Sequence, residues 1–447
     1  MKNNIRINEV CYSTLSSDSP SSYETYVNQG GYSTWNEIIS SMTDRKEIID
    51  TVIDSGLRGR GGAGFSTGRK WSFINLDSND AKYLVCNADE SEPGTCKDRD
   101  ILTYNPHALI EGMLIASYAI GAETAYCYIR GEFIDDVYSS FRNALKDTYI
   151  NKLIGKNILN TNISIDIHDL IGAGAYIAGE ETAMLESIEG KKGFPRYKPP
   201  YPAVKGLFGS PTIINNVETL ASIPKILYKG SDWFKSVGTN KSSGFKCFSV
   251  SGHVNKPGNY EIPLGTPFKE LLELAGGMKD GKKLKAVIPG GSSVPVVPGN
   301  IMMETNMDYE SIEQAGSLLG SGGVIIMNEN TNMVKVIHRI SRFYYSESCG
   351  QCTPCREGTG WMFRIIDKII KGRANLEDIK TLESIPKMIS ESTICAFGDA
   401  AAMPVESFIK HYKNEFLKYI NVRNKSKDEI LNFHETDLKK EFVIYRK

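Results

Sequence analysis

Three closely spaced cysteines, Cys349, Cys352 and Cys355 in the run SESCGQCTPCREGTGW, and a remote fourth, Cys395 in STICAFGD, constrain this chain more than any other feature. Three thiols with two residues between neighbours can wrap three corners of a cubane 4Fe-4S core, and the fold must then bring a fourth cysteine to the last corner. Whatever fold the chain adopts has to return Cys395 to the triplet. In the compact ferredoxin pattern the cysteine soon after the triplet serves a second cluster; here the next one is distant and no second triplet exists, so one cluster is expected. A structural zinc site with four thiolates is the competing use, but such sites usually show two separate C-x2-C pairs. Electron transfer is the leading function class.

At 447 residues the chain exceeds what one hydrophobic core normally supports, so two or three domains are expected. Nine cysteines without a secretory signal argue for a reducing compartment and against a disulfide framework. Cys11, Cys86, Cys96, Cys127 and Cys247 stand alone, read as inert, buried, small apolar residues, and receive no role. A net charge of -1 and the lack of a polybasic run point away from nucleic-acid and anionic-membrane partners. The most apolar stretch, from Ala108, carries Glu111 and Glu123 and reads as a buried helix followed by a strand, so no direct membrane insertion is expected. The polar N-terminal segment lacks the apolar region of a signal peptide and reads as a mobile or wrapping arm.

From about Tyr32 to Tyr228 helical and strand patterns alternate: a helix through EIIDTVIDSG, a strand at KYLVCNAD, a long helix after His107, a strand at AYCYIRGE and a helix through DDVYSSFRNALKD. Such alternation predicts a parallel α/β layer whose ligands bind beyond the carboxyl ends of the strands. Between Lys246 and Val297 the order strand, turn, strand, helix, strand suggests a small β-grasp-like module. From Phe343 onward the apolar spacing, as at Met362, Ile365, Ile366, Ile369 and Ile370, is helical.

Three loops carry candidate chemistry. Gly59, Gly61 and Gly64 match G-x-G-x-x-G, whose backbone amides can approach a phosphate, but this loop follows a helix rather than a strand and is no standard Rossmann turn. Arg58, Arg60, Arg69 and Lys70, with Phe65 and Phe73, nevertheless suit a nucleotide better than a bare structural turn. The second loop packs Asp89, Glu90, Glu92, Asp98 and Asp100 beside Asn87. Two uses compete: a metal site, although no histidine accompanies these acids, or a set of donors and acceptors for an isoalloxazine edge and ribityl hydroxyls. In the third loop, glycines precede Glu180 and Glu181, and Lys198 and Tyr201 follow. An acid there either accepts hydrogen bonds from an adenosine ribose, which favours NADH over NADPH, or complements a helix dipole.

Taken together, GLRGRGGAGFSTGRKW, CNADESEPGTCKDRD, GAGAYIAGEETAMLESIEG, SPTIINNVETL and ESCGQCTPCREG with TICAFGD closely resemble the family of FMN- and NADH-binding subunits (F type, flavoprotein 1) of NADH-quinone oxidoreductase, respiratory complex I. The resemblance covers nearly the whole chain. It implies an N-terminal arm over 1–31, an α/β Rossmann-like FMN domain over 32–240, a small β-grasp (ubiquitin-like, SLBB-like) domain over 241–335, a C-terminal four-helix 4Fe-4S domain over 336–423 and a tail over 424–447. Position by position it implies FMN contacts at Gly62, Lys70, Asn87, Asp89, Tyr176, Glu180, Asn215 and Asn216. NADH contacts are implied at Phe65, Phe73, Glu92, Glu181, Lys198 and Tyr201, and the cluster ligands are the four cysteines. The chain departs from the family's usual residues at Tyr201 (phenylalanine), Ala178 (cysteine) and Cys96 (aromatic).

The implied reaction is hydride transfer from NADH to FMN, then release of single electrons to the 4Fe-4S cluster, with no side chain acting as a classical catalytic acid or base. Implied partners are a 2Fe-2S subunit and a large iron-sulfur subunit of the peripheral arm, leading toward quinone in a translocating complex. The implied place is cytoplasmic, peripheral to the inner membrane. The alternative is a diaphorase subunit of an NAD-linked hydrogenase or formate dehydrogenase, which often carries extra cysteine-rich domains that this chain lacks.

Overall fold

The protein is described by a computed structural model over residues 6–421. The expected charged tail lies outside the described residues. Four apolar strands, β1 (Tyr83–Ala88), β2 (Thr124–Ile129), β3 (Asp166–Ile171) and β4 (Thr212–Asn216), form an all-parallel sheet in the order β3-β2-β1-β4. The chain steps outward from β1 to β3 and then returns to the other side of β1. The order therefore reverses between β1 and β4, and a ligand crevice opens beyond their carboxyl ends. Those ends are Asn87 and Ala88 on one side and Asn215 and Asn216 on the other.

The apolar run from Ala108 is the helix Pro106–Ile120, buried along its whole length, with β2 after it, as the sequence predicts. Its one acid is a tether. Glu111 accepts hydrogen bonds from the Tyr26 hydroxyl and the backbone N–H groups of Tyr32 and Trp35, which fastens the N-terminal helices to the core. The arm before them wraps: the N–H groups of Val10, Cys11 and Tyr12 converge on the buried carboxylate of Glu261 at 3.0, 2.7 and 3.3 Å.

A second, mixed sheet holds β5 (Phe245–Gly252), β6 (Gly258–Pro263), β7 (Leu284–Ile288), β8 (Val297–Pro298) and β9 (Gly323–Asn328) in the order β6-β5-β9-β7-β8. Only β5 and β9 run parallel, and Phe268, Leu271 and Leu272 of the helix Phe268–Leu274 fill the core shared with Phe248 and Ile262. This is the expected β-grasp arrangement. Four amphipathic helices follow, Met333–Glu347, Thr353–Ile370, Leu376–Ile389 and Phe397–Asn421, with Ile337, Met362, Ile366, Leu382 and Val405 in their common core.

The two sheets are joined through one buried anion. Glu218, directly after β4, faces Lys97 Nζ at 2.9 Å, Lys246 Nζ at 3.7 Å and Arg60 Nε at 4.0 Å, and it accepts the Cys247 N–H at 2.7 Å. Burial opposes its charge, yet Lys246, Lys97 and Arg60 prevail and hold the carboxyl below its ordinary value. A depressed carboxyl contributes stability above its unfolded pKa and loses it as pH falls through the folded one. Replacing Glu218 by alanine leaves buried cations uncompensated and is expected to cost about 3–5 kcal/mol. Chemical denaturation at neutral pH checks this, and a loss under about 1 kcal/mol would show that the cations find solvent instead.

Candidate active site

A cleft of about 450 Å³ lies beyond the carboxyl ends of β1 and β4. All three parts of the protein line it: Gly61, Gly62, Asn87 and Asp89 from the α/β layer, Ser293 and Gly320 from the β-grasp module, Phe397 and Met403 from the last helix. Such a volume matches a cofactor-sized ligand.

Of the FMN residues expected from the sequence, Gly62, Asn87, Asp89, Tyr176, Glu180 and Asn216 line this cleft. Gly62 has φ +143° and no heavy atom within 4 Å of where a Cβ would stand, so its backbone is bare toward the cleft. Asn87 is fixed by Nδ2 donating to the Gly179 carbonyl at 2.9 Å and by Oδ1 accepting the Asp89 N–H at 3.1 Å. The buried Oδ2 of Asp89 has no partner among the described residues. Burial pushes that carboxyl up to about 7. An orphaned acceptor on a cleft wall is fitted to a hydroxylated ligand.

Lys70 and Asn215 do not line the cleft. Lys70 Nζ donates to the Ile214 carbonyl at 2.9 Å and to Glu181 at 3.0 Å; Asn215 Oδ1 accepts from the Trp71 indole at 2.8 Å. Glu181 also meets Lys198 Nζ at 2.6 Å. Burial opposes ionisation of Glu181, but Lys70 and Lys198 hold its carboxyl at about 2. Phe65, Phe73 and Tyr201 lie outside the cleft and are more than half exposed, the two phenylalanine rings 6.1 Å apart.

Two expected contacts have structural work as well. Glu180 caps the helix Glu181–Ile188, its Oε2 accepting the Thr182 and Ala183 N–H groups at 2.8 and 2.9 Å, so the helix-dipole alternative holds for part of this acidic pair. Glu92 lines the cleft, but its oxygens accept from Tyr176, Ser292 and the Ser293 N–H, which ties the acidic loop to the β-grasp module. Burial pushes the Glu92 carboxyl up.

Sequence reasoning missed Lys97, Ser293 and Phe397 in the lining. Lys97 is nearly fully buried, paired with Asp98 at 2.7 Å, and no local pattern distinguishes it from a solvated lysine. Ser293 and Phe397 come from distant segments whose approach is a tertiary property. Asn216 also caps the helix Val217–Lys229, its Oδ1 accepting the Glu218 N–H at 3.0 Å.

Cys349, Cys352, Cys355 and Cys395 all line one small pocket, together with Ile177, Pro195 and Phe397. The helix Thr353–Ile370 starts directly after Cys352, and Phe397–Asn421 starts directly after the Cys395 turn, so two helix N-termini direct positive partial charge to the pocket. Cys352 Sγ accepts the Ile394 N–H at 3.3 Å, and the Ser348 hydroxyl lies 3.3 Å from Cys355 Sγ. Burial pushes the free thiol of Cys395 up to about 12. A bound metal must therefore displace its proton, as thiolate ligation requires. Four converging thiols with N–H donors fit an iron-sulfur cluster. Of the solitary cysteines, Cys11, Cys86, Cys127 and Cys247 are buried as expected, but Cys96 is exposed, because it stands at the turn that starts the helix Lys97–Tyr104.

Comparison with known proteins matches residues 52–225 to the Nuo51 FMN-binding domain, 247–297 to the SLBB domain and 335–419 to the NADH-ubiquinone oxidoreductase-F iron-sulfur binding region. The F subunit of NADH-quinone oxidoreductase from Rickettsia bellii (strain OSU 85-389) is 55% identical over 384 residues, 85% of this chain and 92% of that protein. Its counterpart in Rickettsia typhi is 55% identical over 83% of this chain and 88% of its own length. Among solved structures, chains of NAD+-reducing NiFe-hydrogenase in the air-oxidised and H2-reduced states align with TM-scores of 0.75 and 0.77 at 36% and 33% identity. They cover 84% and 91% of this chain, which spans only 63% and 66% of theirs. Identity and the share of the relative covered both place the Rickettsia proteins nearer than the hydrogenase chains, and the chain belongs to the family of NADH-quinone oxidoreductase F subunits.

Proposed function

We propose that this chain is the electron-entry subunit of an NADH-quinone oxidoreductase, binding NADH beside FMN and delivering electrons one at a time to a 4Fe-4S cluster. The carrying observation is that a cofactor-sized cleft at the strand-order reversal adjoins a pocket lined by four cysteines. Bound FMN supplies the conversion of a two-electron donor into single-electron traffic. The chain's own residues bind, orient and exclude water. The bare Gly62 backbone admits a close approach, the unpaired Asp89 oxygen accepts a ribityl hydroxyl, and Asn87 presents a fixed amide.

NADH recognition is assigned to the exposed rings of Phe65, Phe73 and Tyr201, which offer stacking faces, together with Glu181, Lys198 and the cleft-lining Glu92. Glu181 stays ionised across physiological pH and would repel a 2′-phosphate. The protein works with other complex I subunits. We assign it a 2Fe-2S subunit and a large iron-sulfur subunit as neighbours, on the cytoplasmic face of the inner membrane. No helix among the described residues is long and apolar enough to cross a membrane. We assign the domain divisions at 241 and 336 on the change from parallel sheet to mixed sheet to helices, and that at 32 on the resemblance.

Anaerobic addition of NADH to the flavin- and iron-loaded protein is expected to bleach the flavin and raise a low-temperature EPR signal from the cluster, while NADPH does neither. Retained flavin without a response to either nucleotide would refute the NADH site. Glu181→Gln removes the carboxylate that Lys70 and Lys198 share, Lys70 keeping the Ile214 carbonyl and Lys198 keeping Glu180 at 3.3 Å. A 2′-phosphate then meets two less neutralised cations, and the ratio of kcat/KM for NADPH over NADH should rise at least ~10-fold, about 1.4 kcal/mol; an unchanged ratio removes Glu181 from specificity. Cys395→Ala should abolish the cluster signal and keep flavin bleaching by NADH, checked by iron content and EPR on the same sample.

A further inference from the structure

Two side chains line both the cleft and the cysteine pocket: Ile177 and Phe397. They are 8% and 6% exposed, so the residues shared by the two sites are buried and apolar. The Phe397 ring is braced edge-on by Tyr176 at 5.7 Å and Tyr344 at 5.5 Å, and the Tyr176 hydroxyl donates in turn to Glu92. Phe397 stands two residues after Cys395 and lines the cysteine pocket with it. One residue thus borders the cleft and, two positions from the fourth cysteine, the cysteine pocket.

Resting on the function proposed above, we propose that Phe397, backed by Ile177, is the positioning residue that partitions the flavin cleft from the cluster pocket: its ring keeps cleft water off the Cys395 sulfur and forms the apolar passage that electrons cross. One electron at a time leaves the reduced flavin and reduces the cluster; no bond forms or breaks in the wall. The proton stays on the cleft side, since neither Phe397 nor Ile177 has a titratable atom. The apolar shell around a cluster controls solvent access and, with it, potential. Reduction makes the thiolate-iron group more negative, and water stabilises the more highly charged state. Opening the wall therefore raises the potential. A ring-sized gap connected to a polar cleft is roomy and polar enough to fill with water.

The test uses the complete complex, with flavin and iron assayed before EPR-monitored redox titration. Phe397→Ala is expected to shift the one-electron equilibrium of the cluster at least ~10-fold toward the reduced form, about 59 mV, and to speed loss of its signal under a hydrophilic iron chelator. Phe397→Leu, which keeps an apolar plug, should titrate as the wild type. Ile177→Ala opens the same wall from the other side without altering the helix start after Cys395, and should move the potential in the same direction. It decides the matter if Phe397→Ala does not assemble. Wild-type potential and chelator resistance in the alanine variants, with flavin and iron retained, overturn the partition. A wild-type complex without flavin or a four-iron cluster overturns the proposed function and this inference together, and the initial assay separates the two failures.

Discussion

The buried carboxylate of Glu218 is the interaction on which the arrangement of the cleft depends. Arg60 comes from the glycine loop, Lys97 from the start of the helix beneath the acidic loop, and Lys246 from β5 of the other sheet. Arg60 is further spent on the Phe245 and Ser243 carbonyls, and its N–H donates to Thr219 at 2.8 Å. A buried ion network of this kind adds little net stability over a well-packed apolar replacement, because desolvation consumes most of the Coulomb gain. What it does supply is geometry. Three segments far apart in sequence meet around the same anion, directly behind the carboxyl end of β4, so the cleft walls are set before any ligand arrives.

The helical domain is held to that frame by aromatic edges as well as by charge, Lys285 of β7 pairing with Glu415 of the last helix at 2.6 Å. Tyr176, Phe343, Tyr344 and Phe397 pack edge-on with centroids 5.1 to 6.0 Å apart, the geometry that ring quadrupoles favour. The polar tips of two of these rings then find partners across the junction: Tyr176 donates to Glu92, and the Tyr344 hydroxyl lies 3.1 Å from Ser292 Oγ. The rings put apolar faces between the cleft and the four cysteines and leave the polar groups at their tips.

Much of this was legible along the chain, because period and spacing are local. The β1 and β2 strands, the buried helix over Ala108 and the cysteine triplet each carry their signal within a short stretch of neighbouring residues. The four cysteines could be assigned to one site because the triplet spacing suits three corners of a cubane cluster and the resemblance supplies Cys395 as the fourth ligand. The ion network was not legible. A lysine within FKCFSV reads as the odd polar residue of a half-buried strand, and only the tertiary approach of Glu218, 28 positions earlier, shows that Lys246 is wholly buried and paired. The same holds for Glu92. Among five neighbouring acids nothing local marks it as the one whose oxygens would be taken by a tyrosine and two serines from distant segments.

The β-grasp module carries no constellation of its own, yet the packing gives it a share of the site. Gly291 has φ +95°, and a Cβ there would stand 2.6 Å from Glu92 Cγ, so the backbone of this turn is pressed onto the acidic loop at a distance that only glycine permits. That approach is what lets the Ser293 N–H reach Glu92 Oε1 at 2.8 Å. Glu92 in turn holds Tyr176, and Tyr176 braces the ring of Phe397. A side chain added at position 291 would move the module away, release the carboxylate and loosen the ring farthest from the change. The module is thus a wall of the cleft and the outer support of its boundary with the cysteine pocket, which explains why a domain without chemistry of its own lies between two that have it.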